Sequence, residues 1–160
     1  MGEPRLAGTA VLDDLDTPSE SDPVSTLERL IGAAVGLTTV AIAQAAPADL
    51  RFQQWRALVV VGHRGGARVG EVAARIGMSM PSASRLVDRL EARGYVATSR
   101  DPRDGRGLIV TLTGHGAEVR RAVMARRRAL LTEALGAEGG PPPEVGVGLA
   151  RLVRALDRYS

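Results

Sequence analysis

Two short apolar patterns joined by a glycine, between Val69 and Gly94, constrain the fold of this 160-residue chain more than any other feature. Apolar residues recur at helical spacing on one face of each half. They are Val72, Ala73 and Ile76 in the first half, and Ala83, Leu86, Val87 and Leu90 in the second. Gly77 supplies the positive backbone angle of a tight turn, and Gly94 is placed to end the second helix. The stretch therefore predicts two helices packed face to face, with Ala73 small enough to let them cross closely.

The outer face of the second predicted helix is polar near its start. Ser79 is a natural N-cap, and Pro81 lies in the first turn, where its missing N–H costs nothing. Serine hydroxyls and arginine guanidinium groups contact phosphates and guanine edges in the major groove. The candidate DNA contacts on this helix are Ser79, Pro81, Ser82, Ser84, Arg85 and Arg89. The alternative is a solvated polar face, which the surrounding sequence disfavours.

A β-hairpin with a charged tip is predicted directly after Gly94. Its flanks, residues 95–100 and 108–113, are rich in β-branched residues, and residues 101–107 between them are rich in turn formers. The tip carries Arg103 and Arg106, with Asp101 and Asp104 placed to hold them by ion pairs. An arginine held in this way can enter a narrow minor groove. The alternative is a polar tip whose surface ion pairs contribute little.

Four runs of the sequence together resemble the MarR family of bacterial transcription regulators. They are Trp55-Arg-Ala-Leu, Val69-Gly-Glu-Val-Ala-Ala-Arg-Ile-Gly-Met-Ser, Ser84-Arg-Leu-Val-Asp-Arg-Leu-Glu-Ala-Arg-Gly-Tyr-Val, and Asp101-Pro-Arg-Asp-Gly-Arg with the following Val110-Thr-Leu-Thr-Gly114. Many winged-helix families share the helix-turn-helix alone, whereas its combination with the Asp-Gly-Arg tip and Leu-Thr-x-x-Gly is specific. The resemblance covers residues 50–119. It implies a dimer that binds a pseudo-palindromic operator, usually as a repressor released by a small molecule, with Arg106 in the minor groove and Asp104 orienting it.

Charge is distributed unevenly along the chain, whose net charge is +3. Residues 1–23 contain six acidic residues and one arginine, whereas residues 51–110 contain eleven arginines and five acidic residues. Basic character thus coincides with the predicted DNA-binding motif, and residues 1–22 are predicted to be a disordered acidic arm. The absence of cysteine excludes disulfides, thiol redox sensing and thiolate metal sites. Because no N-terminal signal is visible, the predicted location is the cytoplasm.

Apolar helices are predicted on both sides of this motif. Residues 23–46 form a first helix, uncharged from Leu30 to Ala46, whose glycines, threonines and alanines favour a dimer interface over a membrane span. A helix at 50–62 supports the helix-turn-helix, and residues 116–160 form a helix to Leu135, a Gly-Pro linker and a last amphipathic helix. The predicted fold is mainly α with a small β-hairpin wing (α+β): a MarR-like domain over 23–160, with a winged helix-turn-helix at 50–113 and dimerisation helices at both ends. A C2 dimer would set its two recognition helices about one DNA turn, roughly 34 Å, apart.

The resemblance also implies an effector pocket between the dimerisation region and the DNA-binding lobe. The residues expected to form it are Thr38, Gln44, Arg51, Phe52, Trp55 and His63. The predicted partners are double-stranded DNA, a second copy of the chain and a small-molecule effector, with no membrane. Two distant histidines make neither a metal site nor a catalytic set, and no nucleotide-binding loop is present, so neither an enzyme nor a cofactor is predicted. The alternative is a winged-helix protein–protein adaptor without specific DNA binding.

Overall fold

The computed structural model describes residues 22–63, 65–101, 107–137, 140 and 143–156, in which helices alternate with short strands. In chain order the elements are α1 (Pro23–Ala45), α2 (Phe52–His63), β1 (Ala67–Arg68), α3 (Val69–Ile76), α4 (Met80–Ala92), β2 (Val96–Arg100), β3 (Leu108–Leu112), α5 (Gly114–Ala137) and α6 (Pro143–Leu156). The predicted fold class, mainly helical with a small β-hairpin wing, is confirmed. Helix α5 starts two residues before the predicted position. Helix α2 begins two residues later and ends one residue later than the predicted range of 50–62.

The three strands form one antiparallel sheet in the order β1-β3-β2. Thr98 of β2 pairs with Val110 of β3, and Ala67 of β1 pairs with the same residue from the other side. The hairpin of β2 and β3 is the predicted wing. Strand β1 directly precedes α3, so the sheet joins the wing to the start of the helix-turn-helix.

The hydrophobic core lies between the helix-turn-helix, the wing and α5. Its largest fully buried side chains come from α2, α3, α4, both long strands and α5, and they are Leu58, Leu90, Val61, Val72, Val96, Val110 and Val123. The apolar faces predicted for α3 and α4 are buried as expected. Trp55, which is 2% exposed, joins this core from α2 and supports the two helices from behind.

The chain divides into two units, the first ending at Gly36 and the second beginning at Leu37. In the first unit, α1 is capped by Asp22, whose carboxylate accepts hydrogen bonds from the backbone N–H groups of Val24 and Ser25 at 3.3 and 2.9 Å. The Ser25 hydroxyl donates a third at 2.7 Å. These bonds lower the pKa of Asp22 because they favour its charged form, that from the Ser25 hydroxyl most strongly. Asp22 therefore starts the helix, although the sequence places it in the acidic arm.

Much of the apolar surface of the terminal helices is exposed. Within α1 the buried residues are Thr38, Ala41 and Ile42, whereas Leu30 and Ile31, in the first unit, are 47% and 51% exposed. By length and composition alone α1 could cross a membrane, and it is the one helix in the described ranges of which this is true. Helix α6 has no buried residue.

Candidate nucleic-acid interface

Helix α4 presents the predicted polar face to solvent. It buries Ala83, Leu86, Val87 and Leu90 on its inner side. Pro81, Ser84, Arg85 and Arg89 are exposed, and Ser82 is half-buried. The Ser82 hydroxyl lies 3.0 Å from that of Ser79 and 3.5 Å from the guanidinium of Arg85. Hydroxyl and guanidinium donors therefore cluster at the N-terminal end of the helix, the end that enters the major groove in helix-turn-helix proteins.

The turn before α4 confirms the predicted role of Gly77 and qualifies that of Ser79. Gly77 has φ of 75°, and the N–H groups of Gly77 and Met78 close the end of α3 on the carbonyls of Ala74 and Ala73. Ser79 occupies the N-cap position of α4, but its side chain makes no capping hydrogen bond to the helix. The hydroxyl of Ser79 donates instead to the hydroxyl of Ser82 at 3.0 Å.

Arg56 of α2 fixes the end of α3, a role that the sequence did not indicate. Its guanidinium donates to the carbonyl oxygens of Ile76 and Arg75 at 3.1 and 3.0 Å. Carbonyls at the end of a helix lack partners within the helix and carry partial negative charge, so a half-buried cation satisfies them well. Arg56 therefore anchors the helix-turn-helix to the helix behind it.

The end of α4 is tied to the wing. Gly94, with φ of 71°, ends the helix as predicted, and the N–H of Tyr95 returns to the carbonyl of Leu90 at 2.9 Å. The carboxylate of Glu91 accepts the backbone N–H and the hydroxyl of Thr98 in β2, at 2.7 and 2.8 Å. These bonds couple the orientation of the wing to that of α4.

Asp101, which is 3% exposed, lies where the loop of the wing leaves β2. Its backbone N–H donates to the carbonyl of Gly107 at 2.8 Å, and its carboxylate forms an ion pair with Arg68 of β1. The sequence placed Asp101 beside the arginines of the tip and did not indicate Arg68, because nothing in a two-residue strand marks its pairing partner. The predicted tip residues Arg103, Asp104 and Arg106 lie outside the described residues.

The Leu-Thr-x-x-Gly run forms the joint between the wing and α5. The hydroxyl of Thr113 accepts the N–H of Gly116 at 3.0 Å and so caps α5. Gly116 is buried against the backbone of Tyr95, and a Cβ built there would lie 1.9 Å from the Tyr95 carbonyl oxygen. The threonine and the glycine of this run thus have defined structural roles.

A small polar cluster joins the start of α2 to the end of α4. The Arg93 guanidinium lies 3.2 Å from the Asp49 carboxylate and donates to the Asp49 carbonyl oxygen at 3.2 Å. The ring of Tyr95 stacks on His115 with a centroid separation of 5.0 Å. Burial, the negative charge of Asp49 and a hydrogen bond to that carboxylate raise the pKa of Tyr95, against a smaller opposing effect of Arg93.

A cleft of about 390 Å³ opens beside this cluster, and we call it the α2–α4 cleft. Its lining residues are Asp49, Arg51, Gln53, Gln54, Met78, Leu86, Arg89 and Arg93. Arg51, expected in the effector pocket, therefore shares a cleft with Arg89, expected to contact DNA.

The other residues expected to bind an effector differ in how far they are buried. Trp55 and Thr38 are buried, and Phe52 is half-buried against the core. Gln44 accepts a hydrogen bond from Arg126 of α5 at 2.6 Å, and His63 is exposed at the end of α2. No group of three or more potential metal ligands occurs among the residues that the structure describes.

Comparison with known proteins gives consistent results for sequence and fold. A family model described as "MarR family" matches residues 48–107. The uncharacterized HTH-type transcriptional regulator YfiV of Bacillus subtilis is 28% identical over 158 residues, which are 97% of this chain and 96% of the relative. The crystal structure of a MarR-family regulator from Rhodococcus sp. RHA1 is 25% identical, with a TM-score of 0.68 over 90% of this chain and 99% of that one.

Two further solved structures share the fold. Streptococcus pneumoniae FabT, solved in complex with DNA, has a TM-score of 0.68 at 18% identity, covering 86% of this chain and 96% of FabT. Bordetella bronchiseptica BpsR, whose DNA binding is regulated by 6-hydroxynicotinic acid, has a TM-score of 0.64 at 21% identity, covering 88% and 96%. At these identities the likeness concerns the fold alone.

Proposed function

Because the chain belongs to the MarR family of DNA-binding transcription regulators, we propose that it binds a palindromic operator as a homodimer, represses transcription there and is released by a small-molecule effector. Regulators of this family are not enzymes, and neither is this chain.

The observation that carries the proposal is the outer face of α4. The half-buried Ser82 and the exposed Ser84 and Arg85 lie in the first half of a helix whose opposite face is buried, and the exposed Arg89 follows in its last turn. In this proposal Arg85 pairs with the O6 and N7 atoms of a guanine, and Ser82 and Ser84 contact neighbouring base edges. Ser79, Pro81 and Arg89 lie against the sugar-phosphate backbone and fix the register.

The wing supplies the second DNA contact in this proposal. Arg106 enters the minor groove, Asp104 orients it and Arg103 contacts a phosphate. The supporting observation is the closed base of the hairpin, where the Asp101 carboxylate pairs with Arg68 and the Asp101 N–H donates to the carbonyl of Gly107. A tip held at its base loses less conformational entropy when it binds.

The effector is proposed to act from behind the helix-turn-helix. Thr38, Gln44, Phe52, Trp55 and His63 belong to α1 and α2, and Trp55 touches the same core as Leu86 and Leu90 of α4. A ligand that binds one arrangement of these helices better than another would change the fit of α4 to DNA. The regulation of BpsR by 6-hydroxynicotinic acid supports a small organic molecule as the first class to screen.

The proposed location is the cytoplasm, where a regulator meets chromosomal DNA. The apolar face of α1 is then covered by the second copy of the chain and not by lipid. Its uncharged run includes Gly32, Gly36, Thr38 and Thr39, which suit close helix packing better than a hydrocarbon environment.

Fluorescence anisotropy with labelled duplex DNA tests this function. We expect the logarithm of the binding constant to fall linearly with the logarithm of salt concentration, because arginines displace counterions from the phosphates. On a duplex carrying the selected site, Arg85→Ala should cost about 1–3 kcal/mol and relax the preference for one base pair. Arg151→Ala, an exposed arginine of α6, is the matched control and should bind as the native protein does.

Repression itself is tested by transcription in vitro. The purified protein should lower transcription from a promoter that carries the selected site, and the native effector should restore it. A protein that binds no duplex even at low salt would instead be a winged-helix adaptor.

A further inference from the structure

The α2–α4 cleft brings together arginines from two helical regions that the sequence assigns to different tasks. Arg51 precedes α2, and Arg89 belongs to α4. We propose that the cleft is an additional DNA contact, in which Arg51 and Arg89 together bind a backbone phosphate beside the major groove that α4 reads. This inference rests on the proposed function and extends the interface beyond α4 and the wing.

The charges in the cleft favour an anion. Of the described residues that line it, Asp49 alone is acidic, and the carboxylate of Asp49 lies 3.2 Å from the guanidinium of Arg93. Neither Arg51 nor Arg89 forms an ion pair with any residue in the described ranges. Among the described residues nothing pairs with these two exposed guanidinium groups, and a phosphodiester offers them two acceptor oxygens.

The cleft is held in shape before any ligand arrives. The Arg93 guanidinium contacts both the carboxylate and the carbonyl oxygen of Asp49. These contacts hold the chain before α2 against the end of α4. The backbone N–H of Arg51 donates to the buried side chain of Gln54 at 2.8 Å, which fixes the residue from which the guanidinium extends. Met78 and Leu86 give the cleft an apolar floor on which arginine stems can lie.

The position of the cleft favours the DNA backbone over a freely diffusing anion. Arg89 follows Arg85 by one helical turn, about 6 Å along the same face of α4. Arg51 lines the same cleft as Arg89. A duplex whose bases meet Arg85 would bring its flanking phosphates towards Arg89 and Arg51, which line one cleft.

The test compares Arg51→Gln with Arg151→Gln, which removes the same charge from an exposed site on α6. Binding is measured by fluorescence anisotropy on the selected duplex and on an unrelated one, over a series of salt concentrations. Because a dimer carries two copies of Arg51, we expect Arg51→Gln to weaken binding to both duplexes by a similar factor, about tenfold for each charge-assisted contact and so about hundredfold for the dimer. The slope of log K against log salt should become less negative by about 1.8, which is about 0.9 for each of the two contacts. Arg51→Lys, which keeps the charge, should recover the slope.

Three results would overturn the inference. If Arg51→Gln matches Arg151→Gln in affinity and slope while the native protein binds DNA, the cleft is not a DNA contact but the proposed function stands. A loss confined to the selected duplex would mean that Arg51 reads bases. If the native protein binds neither duplex, the proposed function itself fails. Circular dichroism melting checks folding, and the side chain of Arg51 makes no hydrogen bond to the described residues that its loss would break.

Discussion

Gly116 shows how a single residue holds the wing to the helical scaffold. Replacing it with alanine would put a Cβ 1.9 Å from the Tyr95 carbonyl oxygen, a backbone atom that cannot rotate away. We expect Gly116→Ala to lower the free energy of unfolding by about 3 kcal/mol, the upper range for overpacking, in urea denaturation.

Gly114, two residues earlier in the same turn of α5, is the control for this prediction. A Cβ at Gly114 would meet nothing within 4 Å. Gly114→Ala should therefore change the unfolding free energy by less than about 0.5 kcal/mol. Equal effects of the two substitutions would mean that the close approach to Tyr95 does not matter.

Tyr95 gives the protein a predicted loss of stability in alkali. The chain contains no lysine, so tyrosine is the side chain that titrates near pH 10. Because the pKa of Tyr95 is raised in the folded state above its ordinary value of 10.0, the unfolded chain loses the proton first. The stabilisation is therefore complete below pH 10.0 and is lost as the pH rises through the pKa of the folded state.

Urea denaturation between about pH 8 and 11 measures this effect. The native protein should have a constant unfolding free energy up to the ordinary tyrosine pKa and a falling one above it. Tyr95→Phe should remove most of this fall in unfolding free energy. Tyr159→Phe, which removes the other tyrosine of the chain, should leave the fall unchanged. An unchanged fall in the unfolding free energy of Tyr95→Phe would contradict the assignment of this loss of stability to Tyr95.

At the scale of elements, Arg56 makes α2 and α3 one unit. Arg56→Met keeps most of the side-chain stem but removes the two hydrogen bonds to the carbonyls of Ile76 and Arg75. We expect a loss of about 2 kcal/mol in unfolding free energy, since hydrogen bonds from charged groups are stronger than neutral ones. Thermal and urea denaturation both measure it.

Arg75→Met is the corresponding control on α3. Its side chain lies 3.7 Å from Glu71 in an i,i+4 ion pair at the helix surface. Such a pair contributes about 0.3–0.5 kcal/mol. A larger loss from Arg75→Met than from Arg56→Met would show that the carbonyl contacts of Arg56 do not fix α3.

Sequence patterns predict the elements of this protein better than the contacts between them. The helical spacing of Val72, Ile76, Leu86 and Leu90 carries a large burial signal, and the structure buries all four. The pairing of Asp101 with Arg68 and the reach of Arg56 to the end of α3 leave no such signal. They depend on which elements become neighbours, and spacing within one element does not reveal this.

The ends of the helices likewise include features that the sequence predicts and features that it does not. Gly77 and Gly94 were predictable because a left-handed backbone angle favours glycine, and both have it. The capping role of Thr113 was not, since threonine at the start of a helix is also common at the end of a strand. The Leu-Thr-x-x-Gly motif that contains Thr113 can be recognised in the sequence, whereas its structural role cannot.

At the scale of the whole molecule, exposed apolar residues on α6 predict association between copies. Val145, Val147, Leu149, Val153 and Leu156 are each more than 40% exposed, and the helix has no buried residue. We expect sedimentation velocity to show a dimer at micromolar concentration. Val153→Glu should shift it towards a monomer, because a charge in an apolar interface is costly.

Arg151→Glu places the same carboxylate on the side of α6 away from Val145, Leu149, Val153 and Leu156 and should leave the dimer intact. A strict monomer in the native protein, or dissociation caused equally by both substitutions, would contradict an interface built on the apolar side of α6. Weak DNA binding by a monomeric Val153→Glu variant would follow from the loss of the second recognition helix.

Selection from a random duplex library at near-physiological salt tests the central claim, that the polar face of α4 and the wing read DNA sequence as a symmetric pair. We predict recovery of an inverted repeat whose half-sites lie about one helical turn, roughly 34 Å, apart. Recovery of no enriched sequence, with binding abolished at modest salt, would contradict the claim, because it would reduce the interaction to non-specific attraction between arginines and phosphates.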